Sequence, residues 1–500
     1  MIEAYAVPGV YACEAAAAAQ LAEGELMARA VEGLVAVARA RLAATGGRQV
    51  VALVGPGNNG ADALYAVARL AADGVPCGAV HLETVHAGAY AAARAAGVVL
   101  VESGGEAAAL IAEGDLVLDG IVGIGGRPGL PDWARAWVEA IAADAYVIAV
   151  DLPSGQDPSG RHADPAGVFA DETVTFSLLK PVHLLPATEA ACGLLTVVDI
   201  GLNPADGAGE PVVRRLDRGD VRALWRVPGP TDDKYSRGVV GIISGGENYS
   251  GAAVLACTAA VSAGAGMVRY VGTPTPEALV RAVVPEVVIG AGRVQAWVIG
   301  PGLDVTSRAR GVKAQLDVAR EVLAGGEAVV VDAGGLDLID GPRSGPTLLT
   351  PHAGEAARLL SRLGGGVVGP DGSGGPDGSD AVEVTRAQVE ADPLGSAQRL
   401  AALTGAAVLL KGATTIVVEA DAAYSQNDAP AWLATAGAGD VLAGLLGALV
   451  ASGLPLAEAG AVGALVHGVA ADDANPGGPV RALAVAEAIP GTVARLLRAG

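Results

Sequence analysis

Gln49-Val50-Val51-Ala52-Leu53-Val54 runs straight into Gly55-Pro56-Gly57-Asn58-Asn59-Gly60-Ala61-Asp62, an apolar segment of strand length followed at once by a glycine-rich turn. From Asp62 to Ala72 the pattern is helical, so strand, turn and helix form one βα unit. Two more apolar runs, at residues 115–119 and 146–151, each end in an acid just before a glycine-containing loop. Strand ends that face one way, with their loops gathered at one edge, define a doubly wound parallel α/β sheet, and ligands bind at that edge.

Beyond residue 200 this rhythm breaks. Residues 201–211 are polar and turn-rich, as a linker or boundary loop would be, and the expected division falls at about residue 215, giving regions 1–215 and 216–500. The second half restarts with an apolar run at 239–244, a glycine-rich turn and a helix over about 252–263. Further runs follow at 296–300, 328–332 and 407–410, so it too reads as α/β. Residues 364–380 are almost wholly Gly, Asp, Ser, Pro and Val; too little apolar area is available to order them, and an exposed insertion is expected. Residues 441–457 are uncharged, but three glycines and Pro455 interrupt them and they are short for a membrane span, which predicts a buried helix ending near Ser452-Gly453.

Composition narrows the function classes. Five hundred residues imply more than one core, and 51% hydrophobic residues with only 3% aromatics imply tight Ala/Val/Leu layers. A formal net charge of −21 disfavours binding to nucleic acid or to an anionic membrane, so an anionic ligand must be drawn in by local N–H groups or a cation. Cys13, Cys77, Cys192 and Cys257 stand singly, which predicts reduced, mostly buried thiols rather than a zinc or disulfide framework. Residues 1–28 lack Lys and Arg and carry four Glu, the wrong pattern for a secretory signal, so a cytoplasmic protein is expected.

Thr435-Ala436-Gly437-Ala438-Gly439-Asp440 is a glycine-rich turn that opens a helix and presents one carboxylate. Its free N–H groups can cradle phosphates, and Asp440 can deprotonate a hydroxyl; an ordinary capped helix start is the competing reading. In the first half, Asn58-Asn59 supplies carbonyl oxygens and donors without net charge, as a monovalent cation or a ribose and amide ligand needs; an Asn-rich tight turn is the plainer alternative.

Two further loops, Asp119-Gly120-Ile121-Val122-Gly123-Ile124-Gly125-Gly126 and Asp151-Leu152-Pro153-Ser154-Gly155, converge on the same edge. With the Asn-Asn turn they resemble the N-terminal, Rossmann-like three-layer domain of the NAD(P)H-hydrate repair enzymes. The resemblance implies that Asn59, Asp119 and Ser154 bind K⁺, and that Asn58, Asn59, Gly60, Ala61, Asp62, the loop Gly123, Ile124, Gly125, Gly126, Arg127, Pro128 and Gly129, and Asp151 hold the hydrate. Asp151 is the candidate for moving protons. Lys180-Pro181-Val182-His183 resembles the family's K-P-x-H strand end. Ala61 and Ala63 depart from the pattern, where glycine is usual; a positive φ at residue 61 would cost about 1 kcal/mol or more.

Lys234-Tyr235-Ser236-Arg237-Gly238, Ser244-Gly245-Gly246-Glu247-Asn248, Ala263-Gly264-Ala265-Gly266, Gly300-Pro301-Gly302, Thr350-Pro351-His352-Ala353-Gly354-Glu355 and Lys411-Gly412-Ala413-Thr414-Thr415 continue the second half. With the Asp440 turn they resemble, over nearly all of 230–475, the ribokinase-like dehydratase domain of the same family. This implies that Lys411, Gly412, Ala413, Thr414, Thr415 and Gly439 hold ADP, and that Ala252, Gly302, His352 and Asp440 line the hydrate. Asp440 would be the base and Mg²⁺ the expected ion. Ala438 replaces a serine, which removes one hydroxyl donor but leaves the backbone amides. His81, His86, His162 and His467 are read as structural.

The expected activity is therefore epimerisation of R- and S-NAD(P)H hydrates by the first domain and ADP-dependent dehydration of the S form by the second, with NADHX or NADPHX as substrate. Homo-oligomerisation is compatible with this, although no self-complementary surface can be read. Two alternatives stand beside it: a ribokinase-like, ATP-dependent kinase of a small alcohol, and a first domain that binds without turnover, which Ala61 keeps open.

Overall fold

The computed structural model describes residues 1–364, 383–420 and 422–498. The chain divides into two compact units, Glu3–Val213 and Arg214–Gly500, the latter joined by Met1 and Ile2. Of the expected 364–380 insertion only Gly364 falls among the described residues.

In the first unit, seven strands form one parallel sheet: β1 (Val50–Val54), β2 (Cys77–His81), β3 (Val99–Glu102), β4 (Leu116–Gly120), β5 (Tyr146–Val150), β6 (Glu172–Phe176) and β7 (Leu194–Val198). They lie in the order β3-β2-β1-β4-β5-β6-β7. Strand β1 is buried along its whole length, which is why it reads as an unbroken apolar run rather than as an alternation. The chain builds outward from β1 to β3 and then returns to β1's other side at β4. A crevice opens at that reversal, outside the carboxyl ends of β1 and β4. Helix α1 (Val7–Ala18) and helix α2 (Asn58–Ala72) flank it.

Residues 201–211, expected as a linker or boundary loop, stand just before the division between Val213 and Arg214 and fold onto the first unit. Leu202 and Ala208 are buried, and Gly9 of α1 lies so close to the Ala208 carbonyl that a methyl there would overlap it. Two small side chains and one missing Cβ let this polar segment fold onto the first unit.

The second unit has a larger sheet with β8 (Val239–Ile243), β9 (Met267–Val271), β10 (Val288–Ile289), β11 (Ala296–Ile299), β12 (Ala328–Val331), β13 (Thr347–Leu349), β14 (Ala407–Leu410), β15 (Thr415–Glu419) and β16 (Ala422–Gln426). Their order is β16-β15-β14-β13-β12-β11-β8-β9-β10, parallel from β14 to β10 and antiparallel for the last two pairs. Helices α3 (Ser250–Ser262), α4 (Ala353–Arg362), α5 (Ala438–Ala451) and α6 (Leu456–Ala474) belong to the same unit. Helix α5 is the uncharged segment predicted to be buried. Nearly all of it lies in the core, and it ends at Ser452. All four cysteines are free and buried, and no helix among the described residues is long and apolar enough to cross a membrane.

Candidate active sites

The crevice of the first unit is a cavity of about 740 Å³ lined by Tyr11, Glu14, Asn58, Asn59, Asp62, residues 121–126, Trp133, Asp151 and Phe176. Gly60 sits in the first turn of α2 directly over the Gly55 carbonyl, where any Cβ would overlap it. Ala61 lies inside α2 and has no positive φ, so its methyl is accommodated without strain in the core. Ala63 packs against Gly120: a Cβ at residue 120 would stand 2.7 Å from that of Ala63.

Asp151 follows β5 with φ +69°, a left-handed conformation that a non-glycine residue holds only when its surroundings force it. Those surroundings are explicit. Its Oδ1 accepts from Lys180 Nζ, and from Thr175 Oγ1 at 3.0 Å; its N–H donates to Val174 O at 2.7 Å. Lys180 is 1% exposed. His183 Nδ1 accepts from the Lys180 N–H at 3.1 Å, so Nε2 carries the proton and donates to Asp151 O at 2.8 Å. Burial and the Lys180 charge push the His183 pKa down to about 3, which keeps the ring neutral.

The residues expected to hold K⁺ are brought together. Asp119 is fully buried; its Oδ1 accepts from Ser154 Oγ at 2.6 Å and its Oδ2 from Ser154 N at 2.8 Å. Ser154 Oγ also accepts from Val122 N at 2.9 Å, and Asn59 Nδ2 donates to Val150 O, turning Asn59 Oδ1 toward Gly123. Burial pushes the Asp119 pKa up to about 6 against the pull of its Ser154 hydrogen bonds. Arg127, Pro128 and Gly129 follow the lining segment, and the Gly129 N–H donates to Gly155 O at 2.8 Å.

Asp62, expected among the hydrate-binding residues, stands in an unusual environment. It is 7% exposed and its Oδ1 has no hydrogen-bond partner. Burial, then Asp151, then Glu14 raise its pKa well above the usual carboxylate range. Glu14 is raised too, by burial and by Asp151. Tyr11 and Glu14 were missed by sequence reasoning; their signal was a Tyr and a Glu at helical spacing on one face of an otherwise small-residue helix.

In the second unit the loops after β8, β11, β12, β13 and β14 collect at one sheet edge, as their shared parallel register requires. Lys411 follows β14. Its N–H donates to Pro351 O at 2.8 Å and its Nζ to Asp332 Oδ1 at 2.6 Å. The same Asp332 oxygen accepts from Thr350 Oγ1 at 2.8 Å. Asp332 and Glu355 raise the Lys411 pKa despite burial, so it stays charged. A Cβ at Gly439 would stand 3.4 Å from Lys411 Nζ and 3.9 Å from Asp332 Oδ2, which puts the first turn of α5 beside this pair. Gly437, at φ +89°, supplies the left-handed turn that starts the helix. Asp440 lies in that turn, and burial together with the charge of Asp332 pushes its pKa up to about 7, with Lys411 opposing. Asp332 was overlooked as a site residue, although it ends an apolar run as Asp119 and Asp151 do.

His352 is the N-cap of α4. Its Nδ1 accepts from Gly354 N at 3.0 Å and Glu355 N at 3.3 Å, while Glu355 Oε2 accepts from His352 N at 2.9 Å. The ring is half-exposed, its Nε2 stands 3.5 Å from Glu355 Oε1, and burial holds its pKa below the usual histidine value. Gly302 and Ala252 are neighbours: a Cβ at Gly302 would be 2.7 Å from that of Ala252. Ala413, Thr414 and Thr415 follow Gly412 into β15. Of the histidines read as structural, His86 caps a helix through Nδ1, His81 bonds Leu82 O at 2.8 Å, and His467 is buried in α6. Among the described residues no group of three or more His, Cys, Asp or Glu could hold a metal ion.

Two families match in sequence order: "YjeF-related protein N-terminus" over residues 23–182 and "NAD(P)H-hydrate dehydratase" over residues 240–490. The bifunctional NAD(P)H-hydrate repair enzyme Nnr of Mycobacterium tuberculosis H37Rv is 43% identical over 472 residues, covering 91% of each chain. That of Mycobacterium leprae is 41% identical over 489 residues, covering 95% of this chain and 94% of the relative. An ADP/ATP-dependent NAD(P)H-hydrate dehydratase of Bacillus subtilis, co-crystallised with ATP/Mg²⁺, is similar at a TM-score of 0.48 and 22% identity, covering 57% of this chain and 99% of that one. With both halves matched in order and relatives above 40% identity along nearly the whole length, the chain belongs to the family of bifunctional NAD(P)H-hydrate repair enzymes.

Proposed function

We infer that this chain restores hydrated nicotinamide nucleotides in two steps, the unit Glu3–Val213 interconverting the R and S hydrates and the unit Arg214–Gly500 dehydrating the S form at the expense of ADP. The observation that carries the reading is that each unit ends its parallel strands in a lysine-paired aspartate, Asp151–Lys180 and Asp332–Lys411, with a second aspartate of raised proton affinity beside it.

In the second unit Asp440 is the base. With a pKa near 7 it is matched to taking the proton of the C6 hydroxyl at neutral pH. The freed oxygen takes the terminal phosphoryl group of ADP and AMP leaves. Loss of a C5 proton and of phosphate then restores the ring double bond. Lys411, the Gly412–Thr415 turn and the amides of Gly439 and Asp440 are placed to hold the phosphates, where positioning and charge neutralisation do most of the work. With so few carboxylates at hand, Mg²⁺ would be carried mainly by the nucleotide's own oxygens, beside Asp332 and Asp440, and would supply charge neutralisation there. His352 holds the start of α4 and presents the exposed side of its imidazole to the hydrate.

In the first unit, Asn59 Oδ1, Asp119 and Ser154 Oγ form an all-oxygen donor set of low charge, which suits K⁺ better than a divalent ion. There it would fix the hydrate's phosphates against the turn and keep Asp119 ionised. Asp151, held by Lys180 and Thr175 through Oδ1, keeps Oδ2 for the substrate.

The test is recovery of reduced-nicotinamide absorbance from a mixed R/S hydrate preparation with ADP and Mg²⁺. Wild type is expected to recover all of it, and Asp440→Asn to lose about 10²- to 10⁴-fold in rate. The wild-type rate should fall below about pH 7, where Asp440 is protonated. A plateau once the S fraction is consumed would remove the epimerase half of the reading; no recovery would remove both.

A further inference from the structure

The cavity of the first unit is lined by three carboxyl groups, Glu14, Asp62 and Asp151, and one buried lysine, Lys180, stands behind Asp151. Lys180 is committed: it donates to Asp151 Oδ1 and, at 2.8 Å, to Thr175 Oγ1. Asp62 therefore faces only Asp151 and Glu14 as charged neighbours, has an unpartnered Oδ1 in the cavity wall, and stands one turn into α2 above the switch point. His183 behind Asp151 is neutral and so adds no positive charge, and Tyr11, whose pKa burial and Glu14 raise, stays an uncharged phenol. A buried carboxyl without a donor or a cation is unfavourable as an anion and useful as an acid.

We propose that Asp62 is the general acid of epimerisation and Asp151 its base. The hydrate carries its hydroxyl on the ring carbon bonded to N1. Asp62 gives its proton to that hydroxyl; the C6–O bond breaks and water departs; the N1 lone pair forms the N1=C6 double bond of a cyclic iminium. A water then adds to C6 from the opposite face, its electron pair forming the new C–O bond as the iminium collapses, and Asp151 takes the released proton. Proton return from Asp151 to Asp62 through the exchanging water closes the cycle, so no redox partner is required. The two carboxyls divide the labour because one is paired with lysine and the other is not.

This inference rests on the epimerase reading, and the experiment separates the two failures. Full-length protein is given pure R-hydrate with ADP and Mg²⁺ in excess, so that the dehydratase unit reports every S molecule formed. Wild type that forms no S product defeats the epimerase reading itself. With wild type active, Asp62→Asn is expected to lower epimerisation kcat by about 10²-fold or more with KM changed less than about threefold. It should also abolish the alkaline limb of the pH profile, because an acid is lost as pH rises through its pKa. Asp62→Glu, which retains an acid, should recover the limb and at least part of the rate. In a parallel run in H₂¹⁸O without ADP, the S-hydrate formed by wild type should carry ¹⁸O at C6. Wild-type rate in Asp62→Asn, a KM increase with kcat unchanged, equal losses in the Asn and Glu variants, or epimerisation without oxygen exchange would each overturn the assignment.

Discussion

Both sheet edges place a strand-end aspartate on a lysine, yet the two pairs differ in what the pairing does. Asp151 is the paired group and also the one facing the cavity, with Lys180 sealed behind it at 1% exposure. Asp332 is paired with Lys411, but the base proposed there is the unpaired neighbour Asp440, whose proton affinity Asp332 raises. In the first unit the lysine is a fixed support behind the proposed base; in the second the pair is an electrostatic tuner beside it. The same two residue types give either result, depending on whether the lysine is sealed under the acid or left partly exposed beside it.

The sharpest way to break this comparison is Lys180→Met. It leaves Asp151 buried without its cation, and removing one partner of a buried pair costs about 3–5 kcal/mol. The expected outcome is a lower unfolding midpoint for the first unit and loss of epimerisation, read by thermal unfolding and by R-hydrate turnover, with S-hydrate dehydration kept. A midpoint unchanged from wild type would show that Asp151 needs no support.

A smaller effect is expected from Asp332→Asn. Removing the neighbouring negative charge lowers the Asp440 pKa from about 7, so the base stays deprotonated to lower pH and the acid limb of dehydration shifts downward. A limb that stays in place would end the tuner role. The smallest is His352→Ala. Loss of the N-cap should cost about 1 kcal/mol of stability. A rise in hydrate KM beyond that loss would add the ring's contact with substrate, whereas a pure stability change would leave His352 as a cap alone.

The loops that make both sites were readable because each follows an apolar run and carries residues with few other uses there: two asparagines, an acid at the strand end, a glycine-rich turn. Gly60 illustrates the reason, since the approach of α2 to the Gly55 carbonyl leaves no room for a side chain and the sequence must say so. The segment 201–211 was legible as a boundary but not as packed, because turn-rich composition is the same whether a loop crosses open solvent or lies on α1; only the contacts of Leu202, Ala208 and Gly9 distinguish the two. Asp332 escaped notice because its importance lies in a partner 79 residues away.

Sequence alone therefore determined the two α/β units, their order, the strand-end loops and the family they resemble, because hydrophobic period and turn chemistry are local properties. Tertiary structure alone decided the protonation pattern. Whether a carboxyl is an acid, a base or a support depends on burial and on which charge stands within a few ångströms, and Asp62, Asp119, Asp151, Asp332 and Asp440 are the same residue type five times over.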